Sequence, residues 1–152
     1  MKGSSKRKFE VVEVGRVEND FLEEVPDDYH DKTSKMIVHD EYTDSLLGLE
    51  ENSHIAVLCW LDRSDRKIQR VHPMADKSNP LTGVFSTRSP VRPNPISYTV
   101  CELLELDENV LHVNGLDMLN GTPVIDFKSY TTKYNIKSPR FPDWVPERDR
   151  NE

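Results

Sequence analysis

The residue types best equipped for chemistry cluster in one stretch, Gly83-Val84-Phe85-Ser86-Thr87-Arg88-Ser89-Pro90-Val91-Arg92-Pro93-Asn94-Pro95-Ile96. Pro90, Pro93 and Pro95 fix the backbone and leave it little entropy to lose. Arg88, Arg92 and Asn94 are displayed on that frame. A guanidinium holds a carboxylate through two parallel hydrogen bonds, or lies flat on an adenine ring. The Asn94 amide offers a donor and an acceptor, which suits a base edge. Rigid frames carrying polar side chains are what a ligand site requires. The competing reading is a structural turn with surface arginines.

A second stretch runs Gly115-Leu116-Asp117-Met118-Leu119-Asn120-Gly121-Thr122-Pro123-Val124-Ile125-Asp126-Phe127-Lys128. Asn120-Gly121 is a strong turn signal. With Thr122, that turn is expected to leave backbone N–H and C=O groups free to clasp an adenine edge or a ribose. Asp117 and Asp126 flank it, and a carboxylate there suits a cationic ligand or an amine that must lose a proton. The competing reading has Asp117 capping a turn and Asp126 paired with Lys128 or an arginine.

Other chemistries find little support. His54 precedes an apolar run and reads as structural. His30, His39, His72 and His112 lack metal-ligand spacing, so no metal is expected. There is no Gly-x-Ser-x-Gly elbow, no P-loop and no strand–GxGxxG–helix unit. Cys59 and Cys101 lie in apolar runs without a CxxC, so they read as buried thiols in a reducing, cytoplasmic setting.

The elements that must position these stretches read as strands. The valine-rich residues 9–17 suggest a first strand, and residues 34–38 a short one. Residues 40–47 have helical spacing, with Asp40 as N-cap and Gly48 as stop. Residues 54–61 form an apolar run that suits a buried strand. Residues 67–71 and 83–86 read as extended. Residues 96–106 and 110–113 pair across a turn, and residues 124–130 make a last strand. The pattern points to one small antiparallel β-barrel, mainly β, with one short helix. Residues 1–8 are expected to be a disordered basic segment and residues 9–132 the barrel. Residues 133–152 are expected to form an irregular, proline-containing tail anchored by Trp144.

Composition agrees. The chain has 152 residues, of which 36% are hydrophobic and 31% charged, enough for one core. No apolar run approaches the ~18–20 residues of a membrane-spanning helix, and the N-terminus does not read as a secretory signal. The net charge of −7 hides an asymmetry. Residues 18–31 carry seven acidic side chains and no Lys or Arg; residues 101–126 carry six and again none. Residues 62–92 hold seven basic against three acidic side chains. That window can face a nucleic acid, the competing reading being a solvated loop.

The two stretches together resemble the signatures of the TsaA-like, or TrmO, family of S-adenosylmethionine-dependent tRNA (adenine-N6)-methyltransferases. Leu49-Glu50 with Ser53-His54 is similar to a third signature. The resemblance implies a β-barrel homodimer that methylates N6 of a threonylcarbamoyl-adenosine beside a tRNA anticodon. By resemblance, Asp62, Arg63, Arg88, Tyr98, Leu119, Asn120, Gly121 and Thr122 contact the cofactor. On the same reading the sulfonium lies near Asp62 and Tyr98, and Asp126 or Asp117 takes the proton. Asn94 then belongs to the catalytic set, while Arg92, Arg66, Lys67 and Arg70 meet the tRNA. The chain departs from the family pattern in places. Asp62-Arg63 replaces a His-Gln-like pair, an acidic loop stands where Pro-Arg-Gln is usual, and the C-terminal domain of longer members is absent. Another RNA or a small molecule therefore stays open as the acceptor, as does a non-catalytic nucleic-acid-binding barrel.

Overall fold

Alternation is cleanest in Thr33–Val38, where Ser34, Met36 and Val38 are buried and their neighbours are not. A period of two is what a strand with one wet face requires. This strand is β2 in the computed structural model, which describes residue 3 and residues 5–150. The expectation for residues 1–8 falls partly outside that range. The remaining strands are β1 (Gly15–Glu18), β3 (His54–Trp60), β4 (Arg70–Val71), β5 (Thr82–Gly83), β6 (Ile96–Asp107), β7 (Val110–Asn114) and β8 (Pro123–Ser129).

Six strands close an antiparallel barrel in the order β1-β2-β7-β6-β3-β8, while β4 and β5 form a separate ribbon. Closure removes the free edges of the sheet. Val57, Leu111, Val113 and Val124 are fully buried at its centre, beside Met36 and Ile55. The expected small barrel is thus the observed fold.

The ring closes at a short seam. β1 meets β8 through two register pairs, Gly15↔Val124 and Arg16↔Pro123. The amide of Gly121 donates to the Val17 carbonyl at 2.8 Å beside it. Gly15 is required there: a Cβ would meet the Ile37 carbonyl oxygen at 2.6 Å.

Several local expectations are corrected. The first strand begins at Gly15, not at residue 9, and Phe9, Val11 and Val12 are exposed. Valine propensity cannot make a strand where no partner strand lies alongside. The expected helix is a 3-10 helix, Asp40–Leu46, and its N-cap is His39 rather than Asp40. Gly48 does adopt the left-handed conformation that stops it (φ 84°). Residues 84–86 form a 3-10 turn instead of an extended run, closed by Thr87 N–H and Thr87 Oγ1 donating to the Val84 carbonyl. In the tail, Trp144 is half-buried and Arg150 donates to the carbonyls of Pro142, Asp143 and Val145.

The register decides where the loops emerge. β1 ends where β2 begins, β3 ends beside the start of β6 (Trp60↔Ile96), and β7 ends beside the start of β2 (Thr33↔Asn114). The connections 19–32, 61–95 and 115–122 therefore leave the same rim. The sequence stretches singled out above lie largely in two of these three.

Candidate ligand cleft

Interior polarity changes along β6. Cys101 and Leu103 face the core, and stepping back by two puts Thr99 and Ser97 on the same inner face at the rim. Here the barrel opens into a cleft of about 690 Å³. Val25 comes to it from the first rim loop. Asp62, Arg63, Arg88, Arg92 and Asn94 come from the second, and Asp117, Leu119 and Thr122 from the third. Tyr98 of β6 completes the set. Nine of the residues expected from the sequence thus share one cleft.

The cleft carries fixed polar groups. Thr99 Oγ1 donates to Asp117 Oδ1 at 2.7 Å. Arg88 Nη2 donates to the Tyr98 carbonyl. Arg92 Nη1 donates to the carbonyls of Thr87 and Ser89, at 3.2 and 3.1 Å. Arg63 bridges two rim loops, donating to the Leu22 carbonyl at 3.1 Å and the Asn120 carbonyl at 3.0 Å. The guanidinium groups thus brace backbone carbonyls of the rim, and still retain N–H donors for a ligand.

The turn 119–122 differs from the expectation. Its amides are not free. Asn120 N–H donates to Phe21, Gly121 N–H to Val17 and Thr122 N–H to Leu119. Thr122 Oγ1 also donates to the Leu119 carbonyl at 2.7 Å. Leu119 and Thr122 line the cleft, whereas Asn120 and Gly121 line a smaller cavity of about 310 Å³ beside Arg16 and His39.

Asp126 is not brought to the cleft. Its carboxylate pairs with Lys128 at 3.0 Å and accepts from the Phe127 amide. Lys67, on the approach to β4, and Arg70, its first residue, are exposed and outside the cleft lining. Arg66 lies between: it donates to the Pro93 carbonyl and to Asn94 Oδ1.

Residues missed from the sequence include Thr99, Val25 and Tyr29. Alternation backward from Cys101 was signal enough for Thr99. Tyr29 sits in the first rim loop. Burial, and after it the Asp117 carboxylate, pushes its phenol up from the ordinary value. Burial likewise pushes the Cys59 and Cys101 thiols up to about 12, which keeps both protonated and inert. Among the described residues, no group of His, Cys, Asp or Glu could hold a metal ion, and no helix is long and apolar enough to cross a membrane.

A closed six-stranded barrel with a cleft built by three loops of the same rim defines a small ligand-binding β-barrel domain. The family of tRNA-methyltransferase O N-terminal domains matches residues 18–136, and the chain belongs to that family. An S-adenosyl-L-methionine-binding protein of Archaeoglobus fulgidus is 46% identical over 103 residues, covering 68% of this chain and 73% of that protein. The mouse tRNA (adenine(37)-N6)-methyltransferase is 39% identical over 92 residues, covering 60% of this chain but 21% of the mouse protein. The crystal structure of TrmO from Pseudomonas aeruginosa superposes with a TM-score of 0.74 at 25% identity, covering 92% of this chain. The chain spans 64% of that crystallised protein, less than two thirds of it.

Proposed function

We propose that this protein is an S-adenosylmethionine-dependent methyltransferase that acts on N6 of threonylcarbamoyl-adenosine beside a tRNA anticodon. The observation that carries the reading is the convergence of Asp117, Asn94, Arg88 and Tyr98 on one cleft, in a chain of this family. About 690 Å³ lies within the range of small-molecule and cofactor sites. The donor set suits the cofactor as well: carboxylates and an aromatic face for a cation, guanidinium groups for a carboxylate.

When bound, S-adenosylmethionine supplies an electrophilic methyl group on a sulfonium. Asp62 and Tyr98 are the residues to hold the cationic end. Arg88, Leu119 and Thr122 hold the remainder, with Arg63, Asn120 and Gly121 shaping the turn. The acceptor nitrogen is a weak nucleophile, because its lone pair is delocalised into the ring and the carbamoyl. The chain therefore contributes mainly orientation and a proton acceptor. Asp117 is the better placed of the two aspartates for that proton, since Asp126 is paired with Lys128 outside the cleft. Arg92 and Asn94 orient the acceptor. Lys67, Arg70 and the outer N–H groups of Arg66 meet phosphates, so binding weakens steeply with salt.

Residues 9–132 are the working barrel and residues 133–152 a proline-containing tail. The protein works in the cytoplasm as a homodimer. A second reading has its own observation: the acidic loop 18–31 shares the rim with the cleft and repels a long polyanion. In it, a smaller RNA or a nucleoside is the acceptor.

The test is titration calorimetry with S-adenosylmethionine and S-adenosylhomocysteine, wild type beside Arg88→Ala and Thr122→Ala. Methyl transfer to tRNA carrying the threonylcarbamoyl mark and to the free modified nucleoside follows. Micromolar binding lost in the variants, and turnover on the tRNA alone, is the expected result. Turnover on the nucleoside selects the second reading. No heat with either ligand overturns the methyltransferase reading and leaves a nucleic-acid-binding barrel.

A further inference from the structure

We propose that Arg66 sets the polarity of the Asn94 amide, so that Asn94 presents its NH2 group to the ligand. The group it meets is then a hydrogen-bond acceptor. This deepens the function proposed above and rests on the cleft being the binding site.

Donors and acceptors decide the orientation of the amide. A guanidinium has five N–H donors and no acceptor. The Asn94 atom that faces Arg66 Nη2 at 3.3 Å must therefore be the carbonyl oxygen. An amide flipped about Cβ–Cγ would set two donors against each other and lose the bond. Arg66 is itself held at two other points. Its Nε donates to the Pro93 carbonyl at 2.7 Å, and its guanidinium lies over the Trp60 ring, 5.1 Å from the centroid. Trp60 ends β3, so the guanidinium is tied to the barrel wall as well as to the loop. Pro93 and Pro95 flank Asn94 and restrict its backbone. What remains free is the side-chain rotation, and Arg66 settles it.

Asn94 lines the cleft with its NH2 group unengaged by any protein acceptor among the described residues. Two N–H donors on one nitrogen match a carbonyl oxygen, a carboxylate or an unprotonated ring nitrogen. They reject a ring N–H or an amine at that point. Both the cofactor and a carbamoylated base carry such acceptor groups. The shared chemistry is the lone pair, and the experiment separates the sources.

Three variants of the full chain test it: Asn94→Asp, Asn94→Ala and Arg66→Ala, each checked for folding by its thermal midpoint. Asn94→Asp keeps an oxygen toward Arg66, now as a charge-assisted bond, and removes the donor. Asn94→Ala removes the donor without adding charge. One arm is S-adenosylhomocysteine affinity by calorimetry. The other is KM and kcat on threonylcarbamoyl-modified tRNA at saturating cofactor.

Both Asn94 variants are expected to lose about tenfold on the same arm, the cost of one hydrogen bond left unmade. A loss in homocysteine-ligand affinity assigns the acceptor group to the cofactor, and a rise in KM assigns it to the tRNA. Arg66→Ala is expected to lose about threefold on that arm, because a freed amide samples both orientations. Wild-type behaviour of Asn94→Asp on both arms overturns the inference and makes Asn94 a strut for Arg66. So does a loss in Arg66→Ala confined to the arm that the Asn94 variants leave intact. Failure of the wild type to bind S-adenosylhomocysteine overturns the function proposed above instead.

Discussion

Thr99 Oγ1 donates to Asp117 Oδ1 at 2.7 Å, joining the inner face of β6 to the connection between β7 and β8. One carboxylate oxygen is thereby held against the barrel wall, while the residue still lines the cleft. Thr99→Val keeps the shape and removes the donor. The expected outcome is a fall in kcat on the order of tenfold with S-adenosylhomocysteine affinity within about twofold, and about 1 kcal/mol of lost stability. Steady-state kinetics beside calorimetry checks it; a loss of cofactor affinity equal to the loss of kcat would show that the pair serves binding instead.

Arg63 ties Leu22 to Asn120 across 98 positions of sequence (120 − 22), through carbonyl contacts at 3.1 and 3.0 Å. Arg63→Ala releases both. Because the side chain is exposed, the stability cost is small, about 0.5–1 kcal/mol. The larger expected effect is local: faster amide exchange at Asn120 and weaker cofactor binding. Hydrogen exchange resolved to single amides decides it, and unchanged exchange at Asn120 would refute the bracing role.

Gly15 has no room for a side chain. A Cβ would lie 2.6 Å from the backbone oxygen of Ile37, which cannot rotate away. Gly15→Ala is expected to lose about 1–3 kcal/mol in denaturant unfolding, as overpacking does. Gly83→Ala, where nothing lies within 4 Å, is the control and stays near wild type.

The two thiols give a pH signature. Each titrates at about 12 in the folded chain, against an ordinary value of 9.0. Between those values the unfolded chain has released protons that the folded one retains, so stability falls as pH rises from about 9 toward 12. Below about pH 8 the thiols contribute almost no slope. Urea unfolding of Cys59→Ala with Cys101→Ala, compared with wild type from pH 8 to pH 10.5, is expected to show a shallower alkaline decline in the double variant. Iodoacetamide at pH 8 should label the native thiols slowly and the unfolded ones quickly.

The sequence carried the barrel more plainly than the cleft. β2, β3, β6, β7 and β8 each keep an inward row of apolar side chains, so periodicity reaches them within a residue or two. β1 misled, because Val11 and Val12 have strand propensity but no neighbouring strand. The cleft residues were legible as types: arginines, an asparagine and an aspartate on turn-forming segments. Their use was not. Arg63, Arg66 and Arg88 spend donors on the carbonyls of Leu22, Pro93 and Tyr98, and no local pattern announces a partner so distant or a backbone atom so anonymous. The spacing of Asp117 and Asp126 made them look equivalent. A register shift between Leu58 and Cys59, opposite Asp126 and Val124, accompanies the outer placement of Asp126.

The short seam of the barrel sets a timetable for its making. Gly15 pairs with Val124, 109 positions later (124 − 15). At a synthesis rate of ~5–20 residues per second, β1 leaves the ribosome several seconds before its partner exists. Until then β1, whose Val17 packs with Met36 and Val38 of β2, lacks the strand that flanks its other side. The ring therefore closes only once nearly all of it has been made, and the last strand to be translated before the tail is the one that shuts the wall beside the cleft.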